Sequence, residues 1–330
     1  MKAILSTAPG GPDTLTLSDL PDPVPGPGQV LVAVRAVGVN YPDRLIIEDR
    51  YQIRPPRPFA PCGECAGVIE AVGAGVGDLA QGDRVVALTL HGALAEKVVA
   101  DAAQVAPLPA GIDFETGAVL PMVYGTALHA LVDRAALQAG ETLLVLGAAG
   151  GVGLAAVELG RAMGARVVVG VSSEAKLAAA RAAGAADGIV YPARLDADGQ
   201  KALAAAFKDL CGKGGADVIL DPVGGNYAEP ALRAAAWGGR FLVVGFPAGL
   251  PSIPLNLPLL KGCDIRGIFW GAALMRDPGM LRRQIAQITG LIGEGKISPR
   301  IDARYPFAQG ADAIARLDAR VIVGKIVVTL

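Results

Sequence analysis

The chain has 330 residues, carries a net charge of −1, and is 52% hydrophobic and 18% charged, with 44 glycines. This composition excludes a disordered or fibrous chain and fits a globular protein with many tight turns. The near-neutral balance gives no pull toward nucleic acid or an anionic membrane. Four cysteines in this length are no disulfide framework, and no apolar run is long enough to span a membrane.

The start, MKAILSTAPGGPD, lacks the apolar stretch of a signal peptide, so a cytoplasmic protein of two domains is expected. Residues 1 to about 122 read as strand-rich. Strands are expected at 30–39, 67–72, 84–88 and 96–99, separated by turn signals at 73–77 and 81–83. Prolines at 21, 23, 25 and 27 make that connector extended. Short strands without long helices between them suggest a small barrel-like or folded sheet.

After Pro121 the pattern changes to apolar strands alternating with helices, the signature of parallel βαβ units. Strands are expected at 143–146, 166–170, 188–190, 218–220, 241–244 and 264–268. Helices are expected at 151–163, 174–183, 200–210, 228–236 and 279–292. Six strands are the complement of a doubly wound dinucleotide sheet. Tyr305 and the run VIVGKIVVTL (321–330) read as a return to the first domain. The α/β chain is therefore expected to divide into 1–122 plus 295–330 as a substrate domain and an inserted 123–294 as a nucleotide domain. Small ligands are expected in a cleft between them.

The run LLVLGAAGGVGLAAVELGRAMG (143–164) takes a buried strand through a glycine-rich turn into a small-residue helix. Ala148, Gly150 and Gly153 fill the GxGxxG positions, with alanine first, and Ala149, Gly151 and Val152 complete the turn. The first position needs a tight turn, the second lets backbone approach phosphate, and the third lets helix pack on strand. The helix start then offers N–H groups and its positive dipole end to a pyrophosphate.

An NAD enzyme usually places an acid at the end of the second strand. Here VVVGVSSEAK puts Ser172 and Ser173 there, with Lys176 one turn on. Donors and a positive charge suit a 2′-phosphate, so NADPH/NADP+ is the expected cofactor. Lys176 could equally be a solvated helix lysine. Tyr191, just past the next strand, could reach the same ribose. DPVGG (221–225) and Val244, Gly245 and Phe246 end the fourth and fifth strands, where such sheets bind ligands. The latter three are a candidate seat for the nicotinamide, with Phe246 as simple core the alternative.

Only two histidines, His91 and His129, are present, and Cys62 and Cys65 form a lone CxxC. That falls short of a catalytic zinc set, so no metal is expected, and buried apolar cysteines are the simpler reading. Without a Lewis acid, an acceptor that is already electron-poor fits best, such as a quinone or conjugated enone.

The ordered pieces GVNYPD (38–43), YQIRPPRPFAP (51–61), ECAGVI (64–69), GDRV (82–85), VYGTALHAL (123–131), GAAGGVGLAAVELG (147–160), DPVGG, AWGGRFLVVGF (236–246), LLKGCDIRGIFWG (259–271) and VGKIVV (323–328) span nearly the whole chain. Together they resemble the zinc-independent NADPH:quinone oxidoreductase branch of the medium-chain dehydrogenase/reductase superfamily. The resemblance implies a GroES-like catalytic domain around an inserted Rossmann domain. It implies a homodimer whose sheets continue across the interface, and a pocket lined by Asn40, Asp43 and Tyr51. Asn40 would donate to the acceptor oxygen, and Tyr51 would orient substrate or donate a proton. Asp43 is either a pocket residue or a structural hydrogen-bond partner, and Tyr51 is alternatively a packed surface aromatic. Zinc-dependent relatives carry a Cys ligand at the place of Asn40 and a His ligand at that of Gly63. Tyr124, Gly125 and Thr126 resemble a segment beside the nicotinamide, and Phe269, Trp270 and Gly271 the end of the dimer-pairing edge strand. Two alternatives remain in view: a reductase of short enoyl thioesters, for which Arg50, Arg54 and Arg57 could hold CoA phosphates, and a non-catalytic NADPH-binding protein.

Overall fold

The computed structural model describes residues 1–319 and 321–330. They form two compact units, Met1–Gly125 with Leu274–Gly293 and Pro299–Leu330, and Thr126–Ala273 with Glu294–Ser298.

The first unit opens with β1 (Lys2–Ser6) and β2 (Leu15–Asp19), an antiparallel pair that the sequence reading did not include. β3 (Gln29–Val39), β4 (Glu64–Val72), β5 (Arg84–Leu88), β6 (Lys97–Asp101) and β7 (Val105–Pro107) follow. The second unit supplies β8 (Thr142–Leu146), β9 (Arg166–Val171), β10 (Asp187–Val190), β11 (Ala216–Asp221), β12 (Ala235–Val243) and β13 (Asp264–Gly267). The chain then returns to the first unit with β14 (Ile301–Pro306) and β15 (Lys325–Thr329).

β3 organises the first unit. One edge pairs with β4 along its length. The other edge is shared: residues from Gln29 to Ala33 pair with β6, and those from Ala36 to Val39 pair with β15. The full order is β14-β15-β3-β4-β5-β7, with β6 off that path. Val30, Val32, Val34, Val37 and Val39 of β3 enter a core with Ile69, Val85, Leu94 and Ile326. Burying such side chains contributes roughly 1.5–3 kcal/mol apiece.

The second unit is one six-stranded parallel sheet in the order β10-β9-β8-β11-β12-β13. Helices cover a parallel sheet on both faces, so its strands are apolar throughout. Leu143, Leu144, Val145 and Leu146 of the central β8 are accordingly all fully buried. This is the doubly wound arrangement that the alternation of elements implied.

Three local differences have clear causes. The alanine-rich 228–236 reads as one helix, but the helix stops at Arg233 and β12 begins at Ala235, because Ala235 pairs with Ala216 of β11. Tertiary pairing overrides alanine's helical preference there. Phe269 and Trp270 do not extend the edge strand: β13 ends at Gly267, and Trp270 opens the helix Trp270–Arg276. A short helix, Tyr41–Ile47, was also unforeseen; Pro42 suits its first turn and Asn40 its N-cap.

The helix Met280–Gly293 goes with the first unit, whereas the sequence reading carried the nucleotide domain to residue 294. Arg282 fastens it. Its Nε donates to the Val105 carbonyl and its Nη2 to the Ala102 carbonyl, each at 2.9 Å, and Nη1 pairs with Asp78. Arg282→Ala leaves those acceptors unanswered and is expected to destabilise the protein by about 1–3 kcal/mol. Urea unfolding measures this, and an unchanged midpoint would mean that the helix is held by its apolar face alone.

Candidate functional site

In the second unit, β8 delivers the chain into the glycine turn. Gly147 has φ of +57°, which an L side chain rarely adopts. Ala148 is not among the residues with positive φ, the condition for alanine at the first position of the pattern. A Cβ on Gly153 would lie 2.4 Å from the Gly147 carbonyl oxygen and 2.8 Å from the Ala148 Cα, so the close packing of helix on turn needs glycine. A Cβ on Gly150 would meet only the Gly147 oxygen, at 3.4 Å, so its other side is open. Ala148 and Ala149 are buried, Gly150 is exposed, and Gly151 and Val152 are half-buried at the start of the helix Gly151–Ala162. The first N–H groups of such a helix have no partner within it.

β9 brings the next group. Ser172 is exposed just past the strand. Ser173 caps the helix Glu174–Ala182 by accepting from the Lys176 N–H at 3.4 Å. The Lys176 ammonium donates to the Ser172 hydroxyl at 3.0 Å. Two donor groups and a cation therefore meet at one strand end, with no carboxylate in the place an acid usually takes.

Tyr191 sits differently from the ribose-facing position expected of it. It is buried, its hydroxyl hydrogen-bonds the Gly147 backbone, and its ring lies 4.7 Å from that of Tyr227. It props the glycine turn from below, and burial pushes its phenol well up. Asp221, at the end of β11, accepts from the Val223 and Gly224 N–H groups at 2.8 Å each. Burial nevertheless raises its carboxyl to about 6. Val244 and Gly245 are half-buried, Phe246 is exposed and therefore not core, Phe269 is exposed, and Trp270 is buried. Thr126 is half-buried; Tyr124, which falls in the first unit, is buried.

The first unit gathers a polar cluster where β3, β4 and β15 meet. Asn40 follows the last residue of β3, Glu64 begins β4, and Lys325 begins β15. All three are buried. The Lys325 ammonium donates to the Val39 carbonyl (2.8 Å), to Asn40 Oδ1 (2.5 Å) and to Glu64 Oε1 (2.8 Å). Asn40 Nδ2 donates to Glu64 Oε1 at 2.8 Å, and Glu64 Oε2 accepts the Met122 N–H at 2.7 Å. Gly38 makes the room: a Cβ there would stand 2.4 Å from Glu64 Oε1 and 2.3 Å from the Ala118 carbonyl.

Asp43 adjoins this cluster. Its Oδ2 accepts the Asn40 N–H at 2.7 Å, and the Cys62 thiol hydrogen-bonds its carboxyl. Burial raises the Asp43 carboxyl to about 7, against the lowering effect of the Asn40 N–H. The half-buried Tyr51 phenol is pushed up by burial and then by Asp43. Cys62 and Cys65 are buried free thiols, Cys62 at the strained φ of +66°. Burial raises both, Cys65 to about 12. Asn40, Asp43 and Tyr51 are thus neighbours, with Lys325, Glu64 and Cys62 as members that sequence reasoning did not assign. A lysine inside the apolar run VGKIVV was the available signal, since a charge in a buried strand needs a partner.

Two domain families match. Residues 26–110 fit the alcohol dehydrogenase GroES-like domain, and residues 151–286 fit the zinc-binding dehydrogenase domain. The chain is 34% identical over 319 residues to rat quinone oxidoreductase-like protein 2, covering 96% of this chain and 89% of that protein. The chain belongs to the quinone-oxidoreductase-like family of medium-chain dehydrogenases/reductases. Among solved members, a mycobacterial protein complexed with NADPH superposes with a TM-score of 0.91 at 29% identity, and Escherichia coli quinone oxidoreductase complexed with NADPH with 0.89 at 26%; each covers all of both chains. Among the described residues, no group of three or more His, Cys, Asp and Glu could hold a metal ion, and no helix is long and apolar enough to cross a membrane.

Asp43 generates a stability prediction. Its carboxyl is raised above the ordinary 3.8, so between about pH 4 and pH 7 the folded state keeps a proton that the unfolded state has released. Stability relative to Asp43→Asn is therefore expected to fall as pH rises through that window and to level off above it. Urea midpoints of both proteins across the range measure this, and parallel profiles would place the Asp43 carboxyl in its ordinary range.

Proposed function

We propose that this protein is an NADPH-dependent oxidoreductase that reduces a quinone or conjugated enone without a metal ion. The observation that carries the coenzyme is the pairing of an open glycine turn with the Lys176–Ser172 contact. When bound, NADPH supplies a hydride from C4 of its nicotinamide. Gly151 and Val152 offer backbone N–H groups and the helix N-terminus to the pyrophosphate, with Ala148, Ala149, Gly150 and Gly153 fixing the turn's shape, the Gly150 N–H by donating to the Gly147 carbonyl at 2.9 Å. Ser172, Ser173 and Lys176 hold the 2′-phosphate by charge-assisted hydrogen bonds. Tyr191 acts from beneath the turn. Tyr124, Thr126, Val244, Gly245, Phe246, Phe269 and Trp270 are assigned to the nicotinamide half of the coenzyme.

The first unit holds the residues assigned to the acceptor, and the second holds all but Tyr124 of those assigned to the coenzyme. Asn40 donates through Nδ2 to the acceptor oxygen, where negative charge develops as hydride arrives. The Tyr51 phenol stays protonated and is the proton source, with Asp43 as its buried acidic neighbour. The place of a cysteine zinc ligand in zinc-dependent relatives holds Asn40, whose amide is engaged by Lys325 and Glu64. That supports an acceptor activated by hydrogen bonds alone.

The enoyl-thioester reading loses one of its three arginines. Arg57 is spent within the fold, donating to Asp49, the Ile47 carbonyl and Ser6. Arg50 and Arg54 are both exposed, Arg50 with a surface ion pair to Glu48.

We assign the cytoplasm as its location and a homodimer as its form. β13 is an edge strand carrying the exposed Ile265, and Leu250, Leu255, Leu259, Leu260 and Phe269, near it in the chain, are exposed as well. An apolar edge of this kind invites pairing with a second copy. Light scattering should give twice the chain mass, and Leu259→Glu with Leu260→Glu should shift it toward one; a monomeric wild-type protein would remove the assignment.

The cofactor reading is tested by Ser172→Asp with Lys176→Ala. NADPH affinity is expected to fall at least about tenfold, since a repelled 2′-phosphate and a lost charge-assisted bond exceed 1.4 kcal/mol, while NADH affinity changes little. Fluorescence titration with both coenzymes measures this, and equal losses would reject selection at this strand end.

A further inference from the structure

We infer that Lys325 is a positioning residue for the reaction: with Glu64 it locks the Asn40 amide so that nitrogen, and not oxygen, is what an acceptor meets. This rests on the role proposed above for Asn40. An amide side chain has two ends of opposite polarity and nearly equal shape, so its orientation must be set by what surrounds it. An ammonium can only donate. The amide atom 2.5 Å from Lys325 Nζ is therefore the oxygen. A carboxylate can only accept, and Glu64 Oε1 takes a hydrogen from Nδ2 at 2.8 Å. The two charged groups act on opposite ends of the amide and favour the same orientation.

Lys325 has no freedom of its own. Its three N–H bonds meet three acceptors: the Val39 carbonyl, Asn40 Oδ1 and Glu64 Oε1. The strand registers enforce this convergence. Val39 of β3 pairs with Ile326 of β15, one residue from Asn40 and from Lys325 respectively, and Gly38 pairs with Glu64 of β4.

The Asn40 nitrogen carries two hydrogens. One goes to Glu64; the other has the Gly38 carbonyl at 3.5 Å, the limit of a hydrogen bond. That second hydrogen is weakly held and can be given to an acceptor oxygen. Were the amide reversed, its oxygen would face the acceptor carbonyl and oppose the charge that develops on it. Lys325 thus decides whether Asn40 assists or obstructs, without touching substrate.

The experiment is a double-mutant cycle on the full-length protein with Lys325→Met, Asn40→Ala and the combination. Turnover of a simple benzoquinone, NADPH affinity by fluorescence and thermal midpoint are measured for all four proteins. Lys325→Met is expected to lower kcat by about tenfold or more, a fraction of what losing a whole oxyanion donor costs. NADPH affinity is expected to stay within about twofold, and adding Lys325→Met to Asn40→Ala to lower kcat no further. A double mutant whose loss is the product of the two single losses would overturn the inference and leave the Asn40 role standing. An Asn40→Ala protein with unchanged kcat would remove that role and the inference with it. If Lys325→Met does not fold, the same cycle is run with Lys325→Gln, which keeps a donor for Oδ1 without the charge. The combination with Asn40→Ala is then expected to turn over as fast as Asn40→Ala alone, and a further loss in the combination overturns the inference.

Discussion

Glu64 is a fully buried carboxylate, and the β-rich unit is arranged around answering it. A charge taken out of water is tolerated only with a counter-charge and hydrogen bonds in good geometry. Here those come from β15, from the end of β3 and from the backbone at Met122. Satisfying one side chain therefore draws the chain's last strand back beside β3. It also requires a glycine at position 38, and ties residue 122 to the start of β4. Removing one member of such a pair typically costs about 3–5 kcal/mol, more than most single contacts in the core. The same arrangement leaves Asn40, Asp43 and Cys62 packed around a fixed point.

Much of this was legible from residue order. Apolar runs of four to six residues separated by helical patterns specified the parallel sheet, because its strands are buried on both faces. The glycine turn was legible for a related reason: Gly147 and Gly153 each answer a steric demand that other residues meet poorly. Ser172 and Lys176 lie four positions apart on a strand-to-helix turn, so local geometry brought them together as the sequence suggested. What escaped was non-local. Lys325 lies 261 residues from Glu64 along the chain, and no pattern in either segment names the other. Tyr191 reads as a residue just past a strand that could reach the ribose, and only its burial and its hydrogen bond to the Gly147 backbone show it packed against the turn. The alanines at 234–236 carry a helical preference that a neighbouring strand overrules.

On the proposed function, the two units divide the demands of hydride chemistry between them. The parallel sheet would provide backbone and dipole for phosphates, which need orientation and little else. The β-rich unit would provide buried polar side chains, which a sheet end closed by a charged cluster holds more firmly than a loop would. The arginines near residue 54 illustrate how composition can mislead. Arg57 looks like an anion site until its three hydrogen bonds show that it fastens the segment on which it sits.

The buried thiols have a chemical corollary. Quinones and enones are electrophiles that arylate or alkylate thiolates, so an enzyme that turns them over risks inactivating itself. Only the deprotonated form of cysteine attacks. Cys62 and Cys65 are held far on the neutral side, Cys62 beside an acid and both out of contact with water. Two sulfur atoms can thereby sit within a few residues of Asn40's partner Glu64 and stay inert toward the very compounds the protein is proposed to consume.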